Sequence, residues 1–446
     1  MKRGTMNAER VLRGDAEKVE GGRGSVRAKG SMSREGAAPS APVASGGAHG
    51  GAPSHNSASG LTSRAPWPKV KLGEVCSRVT SGGTPSTKHP EYYGGTIPWL
   101  RTQEVDFKPI YSTELFITEE GLNKSSAKWI PENTVIVAMY GATAGRSAIT
   151  KIALTTNQAC CNLLVDELQA DYRFVYYTLR LRYEELEGLA KGSAQTNLSA
   201  GIIKEFEIPL PPLPVQRRIA DILSAYDDLI ENNRRRIAIL EETARLLFQR
   251  DIAEEECESR PINELVEINP VVPKPRNNAV RYIPMSALST TGMTVDLHDY
   301  EMRAKATSVR FVNGDVLLAR ITPCLENGKT AYVNFLEEGE IGCGSSEFIV
   351  MRGRKVSSYF TYCLARLEAF RGIAIKSMVG ASGRQRVQPS CFADFHIPYP
   401  EEAVLKDFDA AVAPMFNQIS LLSKHSAALA AARDMLLPRL MKGGVA

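Results

Sequence analysis

Polar residues that could hydrogen-bond to nucleic-acid bases lie in short loops between apolar runs. Arg and Lys suit guanine, Asn and Gln suit adenine, and Ser or Thr suit phosphates. Gln195 and Asn197 are the favoured base contacts, and Arg101 and Arg146 come next. The full set of candidate DNA contacts is Ser81, Thr84, Arg101, Thr102, Gln103, Tyr140, Arg146, Lys191, Gln195, Asn197, Lys274, Arg276, Arg320, Thr322, Lys329, Arg384, Gln385 and Arg386.

An ordinary structural role competes for each of these residues. A loop Arg or Lys is commonly a solvated charge, and an Asn or Gln can simply cap a turn. Against this, the two halves of the chain place polar residues at corresponding positions: Arg384–Arg386 at the counterpart of Gln195–Asn197, and Lys329 at that of the loop holding Arg146. Lys274 and Arg276 are predicted phosphate contacts.

No catalytic motif is recognisable. Gly328, Lys329 and Thr330 match the end of a P-loop, but Pro323 occupies the position of its first glycine. The eight cysteines and six histidines lack paired metal-ligand spacing, so neither catalytic nor metal-binding residues are predicted. These patterns favour a binding chain without chemistry of its own, although an enzyme with an unrecognised site stays an alternative.

The net charge of +4 is unevenly distributed. Residues 1–65 hold ten Lys/Arg and five Asp/Glu, a net +5, which leaves 44 basic and 45 acidic residues elsewhere. Positive charge in the folded body must therefore be gathered on one face if it binds nucleic acid. Residues 1–65 are rich in Gly, Ala, Ser and Pro and are predicted to be disordered. The absence of a signal sequence and of an apolar span predicts a cytoplasmic location.

The chain contains an internal repeat. EFEIPLP at residues 205–211 recurs as DFHIPYP at residues 394–400, and the offset of 189 continues into the helix that follows each copy. Such a long period indicates two copies of a domain plus a helix. Within the first copy, strands are predicted at residues 134–139 and 161–165 and a helix at 174–182. GDVLLARIT and SYFTYCLAR occupy matching places in the second copy.

Apolar heptads mark the two helices as the elements that would hold the copies apart. The predicted seam consists of Ile219, Leu223, Tyr226, Ile230, Asn233, Ile237, Leu240 and Leu247 in one helix and Phe408, Val412, Met415, Ile419, Leu422, Leu429 and Leu436 in the other. A polar seam residue such as Asn233 commonly fixes register. Each helix would span roughly 45–55 Å. The alternative is that each stripe packs only on its own copy.

These residues resemble a known family. The motifs WPKVKLGEV and GSAQTNLS, the proline exit IPLPPLPVQRRIA with its long helix, and the terminal AARDMLLPRLM are similar to those of type I restriction–modification specificity subunits, the HsdS family. The resemblance covers roughly residues 66–446. It implies an α+β fold of two homologous mixed α/β target-recognition domains joined by two long helices in an antiparallel, pseudo-two-fold coiled coil.

The resemblance also implies boundaries and partners. We expect a tail at 1–65, recognition domains at 66–213 and 257–400, and helical spacers at 214–256 and 401–446. Each domain would read one half of a bipartite site in double-stranded DNA, and the coiled coil would set the gap. Two modification (methyltransferase) subunits with S-adenosylmethionine, and restriction/translocase subunits with ATP and Mg²⁺, would carry the chemistry, leaving this chain without a cofactor.

Two alternatives stay open at this stage. One is a specificity subunit that serves a different restriction–modification type, in which the partner fuses nuclease and methyltransferase. The other is a coiled-coil scaffold that binds proteins and not DNA, which predicts no salt-dependent DNA affinity.

Overall fold

The computed structural model describes residues 67–191, 197–275, 279–296, 300–305, 308–381 and 383–443. The predicted disorder of residues 1–65 lies outside this part. We call residues 67–212 the first segment and residues 254–401 the second segment, because a long helix follows each one.

The first segment contains two sheets and a closing strand pair. Its elements are β1 (Lys69–Lys71), β2 (Cys76–Ser81), β3 (Tyr93–Leu100), β4 (Pro109–Ile110), β5 (Leu115–Ile117), α1 (Glu119–Asn123), β6 (Trp129–Ile130), β7 (Val135–Ala138), β8 (Ser147–Thr150), β9 (Leu154–Thr156), β10 (Cys160–Val165), α2 (Tyr172–Leu181), α3 (Tyr183–Lys191), α4 (Ala200–Glu205) and β11 (Glu207–Pro209). One sheet has the order β2-β10-β7-β8-β4 and the other β5-β3-β9-β6, while β1 pairs with β11.

Burial explains why the central strands form where they do. All four residues of β7, VIVA, are buried, as the continuous apolar run requires of a strand covered on both faces. Asp171 begins α2 by accepting hydrogen bonds from the backbone N–H groups of Arg173 and Phe174. The strands predicted at residues 134–139 and 161–165 and the helix predicted at 174–182 are therefore confirmed, to within a residue or two at each end.

The second segment repeats this strand pairing. Its elements are β12 (Ser259–Pro261), α6 (Ile262–Leu265), β13 (Val266–Ile268), β14 (Val280–Ile283), β15 (Glu301–Arg303), β16 (Val309–Phe311), β17 (Val316–Ala319), β18 (Thr330–Tyr332), β19 (Gly342–Gly344), β20 (Phe348–Gly353), α7 (Ser358–Arg366), α8 (Glu368–Lys376) and β21 (His396–Pro398). The sheets are β13-β20-β17-β18 and β15-β14-β19-β16, and β12 pairs with β21. Strand β17 lies antiparallel between β18 and β20, as β7 lies between β8 and β10.

Two long helices follow the segments. Helix α5 (Leu213–Phe248) has 36 residues and α9 (Glu402–Met441) has 40, so they are about 54 and 60 Å long. Asp227 contacts Arg433, and Asn233 donates to the hydroxyl of Ser426 at 3.2 Å. Farther along α5, the rings of Phe248 and of Phe408 in α9 lie 5.7 Å apart. The helices therefore run in opposite directions where they touch.

Every predicted seam residue is at least partly buried. Ile219, Leu223, Asn233, Phe408, Val412, Ile419 and Leu422 are buried, and the remaining members are partly buried. The seam also joins the segment cores. Ile219 and Leu223 pack in the first segment with Leu437 and Leu440 from the end of α9. Phe248 at the end of α5 packs in the second segment. Each helix thus contacts both segments and the other helix.

Buried polar residues that the sequence analysis did not single out fix α5 to both segments. Asp227 accepts a 2.5 Å hydrogen bond from the Tyr177 hydroxyl of α2. Glu241, 14 residues later on the same helix, accepts one from the Tyr362 hydroxyl of α7, also at 2.5 Å. Since 14 residues are two heptads, both carboxylates lie near one face of α5.

Gln216 explains the VQRRIA motif physically. Its side chain is buried, accepts from the backbone N–H of Asp171 at 2.9 Å and donates to the carbonyl of Pro211 at 2.8 Å. These two bonds tie the proline exit and the first turn of α5 to the N-terminus of α2. The Gln216 amide therefore links the start of the long helix to the first segment.

Candidate nucleic-acid interface

The loop that contains Tyr140 meets the residues around Asn197 at one edge of the first segment, where β7 ends and β10 begins. Two backbone hydrogen bonds hold them together: Met139 N–H donates to the carbonyl of Ala159 at 2.8 Å, and Leu198 N–H donates to the carbonyl of Met139 at 2.9 Å. The loop that contains Tyr140 therefore lies beside Asn197, which is exposed.

The second segment builds its corresponding edge with the same bonds. Arg320 N–H donates to the carbonyl of Glu347 at 3.0 Å, and Val387 N–H donates to the carbonyl of Arg320 at 2.8 Å. A further bond joins Thr322 N–H to the carbonyl of Gln385 at 3.0 Å. We call residues 320–322, 345–347 and 384–387 the second ribbon. It brings together Arg320, Thr322, Arg384, Gln385 and Arg386 from the predicted set.

Glycines allow the close approach of a third loop in the first segment. A Cβ on Gly82 would lie 1.9 Å from the carbonyl oxygen of Thr156, so only glycine fits there. The side chain of Thr84 hydrogen-bonds to Gln158, and Trp99 donates its ring N–H to the carbonyl of Gly83 at 3.0 Å. This packing places the SGGT loop beside the turn that precedes β10.

Two arginines of the first edge are paired with carboxylates. Arg101 Nη2 lies 2.7 Å from Glu114 Oε2, and Arg146 Nη1 lies 2.6 Å from Asp106 Oδ1. Their side chains are partly exposed, so each guanidinium keeps donors that face solvent. A paired guanidinium can still hydrogen-bond to a base edge, but its net charge toward a phosphate is reduced.

The other predicted residues of the first segment vary in exposure. Ser81, Gln103 and Tyr140 are exposed, and Thr102 begins a 3₁₀ turn after β3. Lys191 pairs with Glu187 at 2.9 Å on the surface of α3. Gln195, the favoured adenine contact, lies outside the described residues.

The second ribbon carries a tighter ion pair. Arg386 Nε lies 3.0 and 2.9 Å from the two carboxylate oxygens of Glu347, and Nη2 lies 2.8 Å from Oε1. Hydrogen bonds and charge from Arg386 hold the pKa of Glu347 below its usual range. Arg320 Nε is buried and, in the described part of the chain, has no hydrogen-bond partner. The positive charges of Arg386 and Arg320 both act on the carboxylate of Glu347.

The remaining predicted residues of the second segment are placed as follows. The Thr322 hydroxyl accepts from Gln385 N–H at 3.1 Å. Lys329 Nζ donates to the carbonyl of Met285 at 2.7 Å, which draws this amine toward the segment. Arg384 and Lys274 are exposed. Arg276 lies outside the described residues.

Comparisons with known proteins find similar chains. Residues 65–242 match the family model described as "Type I restriction modification DNA specificity domain". The MjaIX type I restriction enzyme specificity subunit of Methanocaldococcus jannaschii is 27% identical over 409 residues, covering 84% of this chain and 93% of that protein. The EcoR124I/EcoR124II specificity subunit of Escherichia coli is 29% identical over 164 residues, 35% of this chain and 40% of that protein.

Residues 65–242 carry a type I restriction–modification DNA specificity domain, and the chain as a whole is similar to type I restriction enzyme specificity subunits. A solved structure agrees at the level of the fold. The S subunit of the type I system of M. genitalium superposes with a TM-score of 0.50 at 18% identity, covering 85% of this chain and 97% of that one.

Both edges include polar residues that the sequence analysis did not name, in the turn before β10 and in the turn before β20. Asn157 and Gln158 occupy this turn in the first segment, and Glu347 occupies it in the second. The signal was present in the sequence, because TTNQAC and GSSEF align as polar turns before buried strands. The sequence did not show that a carbonyl of this turn accepts a hydrogen bond from the backbone N–H of Met139 in the first segment and of Arg320 in the second.

The metal ligands and reactive thiols that are typical of enzyme centres are the last features to compare with the sequence. Within the described ranges, no cluster of three His, Cys, Asp or Glu side chains could hold a metal ion. Burial raises the pKa of the Cys161 thiol to about 12, so this side chain stays protonated near neutral pH. None of the described helices is long and apolar enough to cross a membrane.

Proposed function

We propose that this chain reads a bipartite DNA site, one half with each segment. The supporting observation is the repeated edge. In both segments, corresponding backbone hydrogen bonds join the loop after β7 or β17 to the loop that precedes β11 or β21, and both loops carry polar side chains. The recognition domains are residues 66–213 and 257–400.

Helices α5 and α9 form the spacer that sets the gap between the half-sites. Residues 214–256 and 401–446 build it as an antiparallel coiled coil that relates the domains by a pseudo-two-fold axis. The polar contact between Asn233 and Ser426 and the buried pair of Asp227 with Arg433 support a single register, since a shift by one heptad would bury these groups without partners.

The chemistry belongs to other subunits in this proposal. The chain itself is non-catalytic and acts in the cytoplasm, where it positions two modification subunits and the restriction subunits that translocate DNA. S-adenosylmethionine, ATP and Mg²⁺ bind those partners. The MjaIX specificity subunit is similar in sequence to this chain over 93% of its own length, which supports this assignment.

Single substitutions in each domain test whether that domain reads only one half-site. Gln195→Ala should change the methylated sequence in one half-site only, and Gln385→Ala should change the other half only. Methylation mapping with each variant, in the presence of the modification subunits, measures both effects. A uniform loss at both halves would contradict the proposal, and so would DNA affinity that does not fall as salt concentration rises.

A further inference from the structure

The ion pair of Glu347 with Arg386 has no counterpart in the first segment. Matching the two sets of backbone bonds places Ala159 at the position of Glu347 and Asn197 at that of Arg386. The Arg386 side chain is 42% exposed and that of Glu347 is 24% exposed, so the pair lies at the surface of the predicted reading edge. Exposed ion pairs contribute little to stability, so the stability of the fold gives little reason for a pair at this place.

The geometry leaves one edge of the guanidinium available. Glu347 occupies Nε and Nη2 of Arg386, while no contact engages Nη1 within the described residues. A guanidinium has five N–H donors, and recognition of guanine needs two that face O6 and N7. The edge formed by Nη1 and the second hydrogen of Nη2 meets that requirement.

The backbone fixes both partners. Arg386 N–H donates to the carbonyl of Val379 at 2.9 Å, and Val379 N–H donates back to Arg386 at 3.1 Å. Glu347 is held by Arg320, whose own carbonyl accepts from Val387. The side-chain pair therefore connects two backbone segments that are already joined by hydrogen bonds.

Charge gives the pair a second consequence. An unpaired arginine attracts every phosphate, and each neutralised phosphate steepens the salt dependence of binding by about 0.9 in log–log slope. Next to a carboxylate, the pair has no net charge, so it adds little to binding that ignores sequence. Its donors toward a base edge are unaffected.

We propose that Glu347 is a specificity-determining positioning residue: it orients Arg386 to read a guanine in the second half-site and suppresses the attraction of that guanidinium for phosphates. The inference rests on the proposed function and extends it. Glu347 acts through Arg386 and needs no contact with DNA.

The test uses the complex of the full chain with its modification subunits and two duplexes, the methylated sequence and one altered only in its second half. Binding of each is measured between 50 and 300 mM salt. Glu347→Gln should lower discrimination between the duplexes by about tenfold. It should also tighten binding to the altered duplex and steepen its salt slope by up to about 0.9.

Two further variants keep the result interpretable. Glu340→Gln is the matched control, because Glu340 is 22% exposed, close to the 24% of Glu347, and pairs with Arg281 outside the ribbon. It should leave discrimination and slope unchanged. Arg386→Lys keeps the charge but loses the forked donors, so it should lower discrimination at the same base pair even if Glu347→Gln fails to fold.

The outcomes separate the two proposals. If the wild-type complex does not distinguish the duplexes, the proposed function fails. If it does, and Glu347→Gln or Arg386→Lys keeps wild-type discrimination, the inference about Glu347 is wrong while the function stands. Equal weakening of binding to both duplexes in Glu347→Gln would assign the pair a purely structural role and would also overturn the inference.

Discussion

Replacing Arg433 with methionine tests how the spacer is held together. Arg433 and Asp227 are both 9% exposed in their side chains, and Asp227 also accepts from Tyr177. The variant leaves a buried carboxylate with one neutral donor. Removing one partner of a buried pair costs about 3–5 kcal/mol, and we expect about 3 kcal/mol because the Tyr177 bond survives.

Asp227→Asn, which changes the partner of Arg433, should lower the free energy of unfolding by less. In Asp227→Asn, Arg433 keeps its bond to Asp434 at 2.9 Å, and the new amide oxygen can still accept from Tyr177. We expect about 1.5 kcal/mol, in the range of one hydrogen bond to a charged group. Replacing both residues with apolar ones should cost less than Arg433→Met alone, about 1–2 kcal/mol, because no buried charge is left unpaired and only the Tyr177 hydroxyl loses its acceptor.

Urea unfolding of the full chain, followed by circular dichroism, measures these free energies. Limited proteolysis provides a local check, because loosening the end of α9 should expose residues 434–443 to cleavage. Arg439→Met is the control, as Arg439 is exposed on the same helix. The reasoning is refuted if Arg433→Met unfolds within about 0.5 kcal/mol of the wild type, or if the effects of the two single substitutions simply add.

Two other perturbations probe the spacer and the junction between α7 and α9. Deleting residues 234–240 together with the facing residues 419–425 removes one heptad from each helix, about 10 Å, and should shorten the gap by about three base pairs or prevent assembly. Methylation mapping that shows an unchanged gap would contradict the spacer role. Burial raises the pKa of Asp409 against an opposing hydrogen bond from Ser357, so the contribution of Asp409 to stability is complete below its unfolded pKa and is lost as pH rises through the folded value. Thermal melting should therefore show that Asp409→Asn becomes more stable relative to the wild type from about pH 4 to pH 7. A stability difference that stays constant over this range would disprove a raised pKa of Asp409.

The architecture was predictable because the internal repeat and the heptads are patterns of apolar residues, which the sequence shows directly. TVIVAM and GDVLLARIT predicted buried strands, and β7 and β17 lie there with every residue buried. The period of 189 placed the second long helix where α9 begins. Such patterns can be recognised without a structure because each depends only on the spacing of apolar residues along the chain.

The polar contacts were not predictable because they join residues far apart in the chain. Asp227 and Arg433 are 206 residues apart, and Arg433 interrupts the apolar seam where it would seem to weaken it. In the same way, nothing in the local sequence shows that Glu347 pairs with Arg386, 39 residues away. Charge pairing of this kind depends on the folded arrangement of loops, so sequence supplied the candidates but not their partners.

Methylome sequencing tests the central claim most directly. A host that expresses this chain with its modification subunits is compared with a host that lacks only this chain. The account predicts a new methylated motif in two parts, separated by a gap of fixed length. An assembled complex that adds no new methylation, or that methylates a continuous motif without a gap, would contradict it.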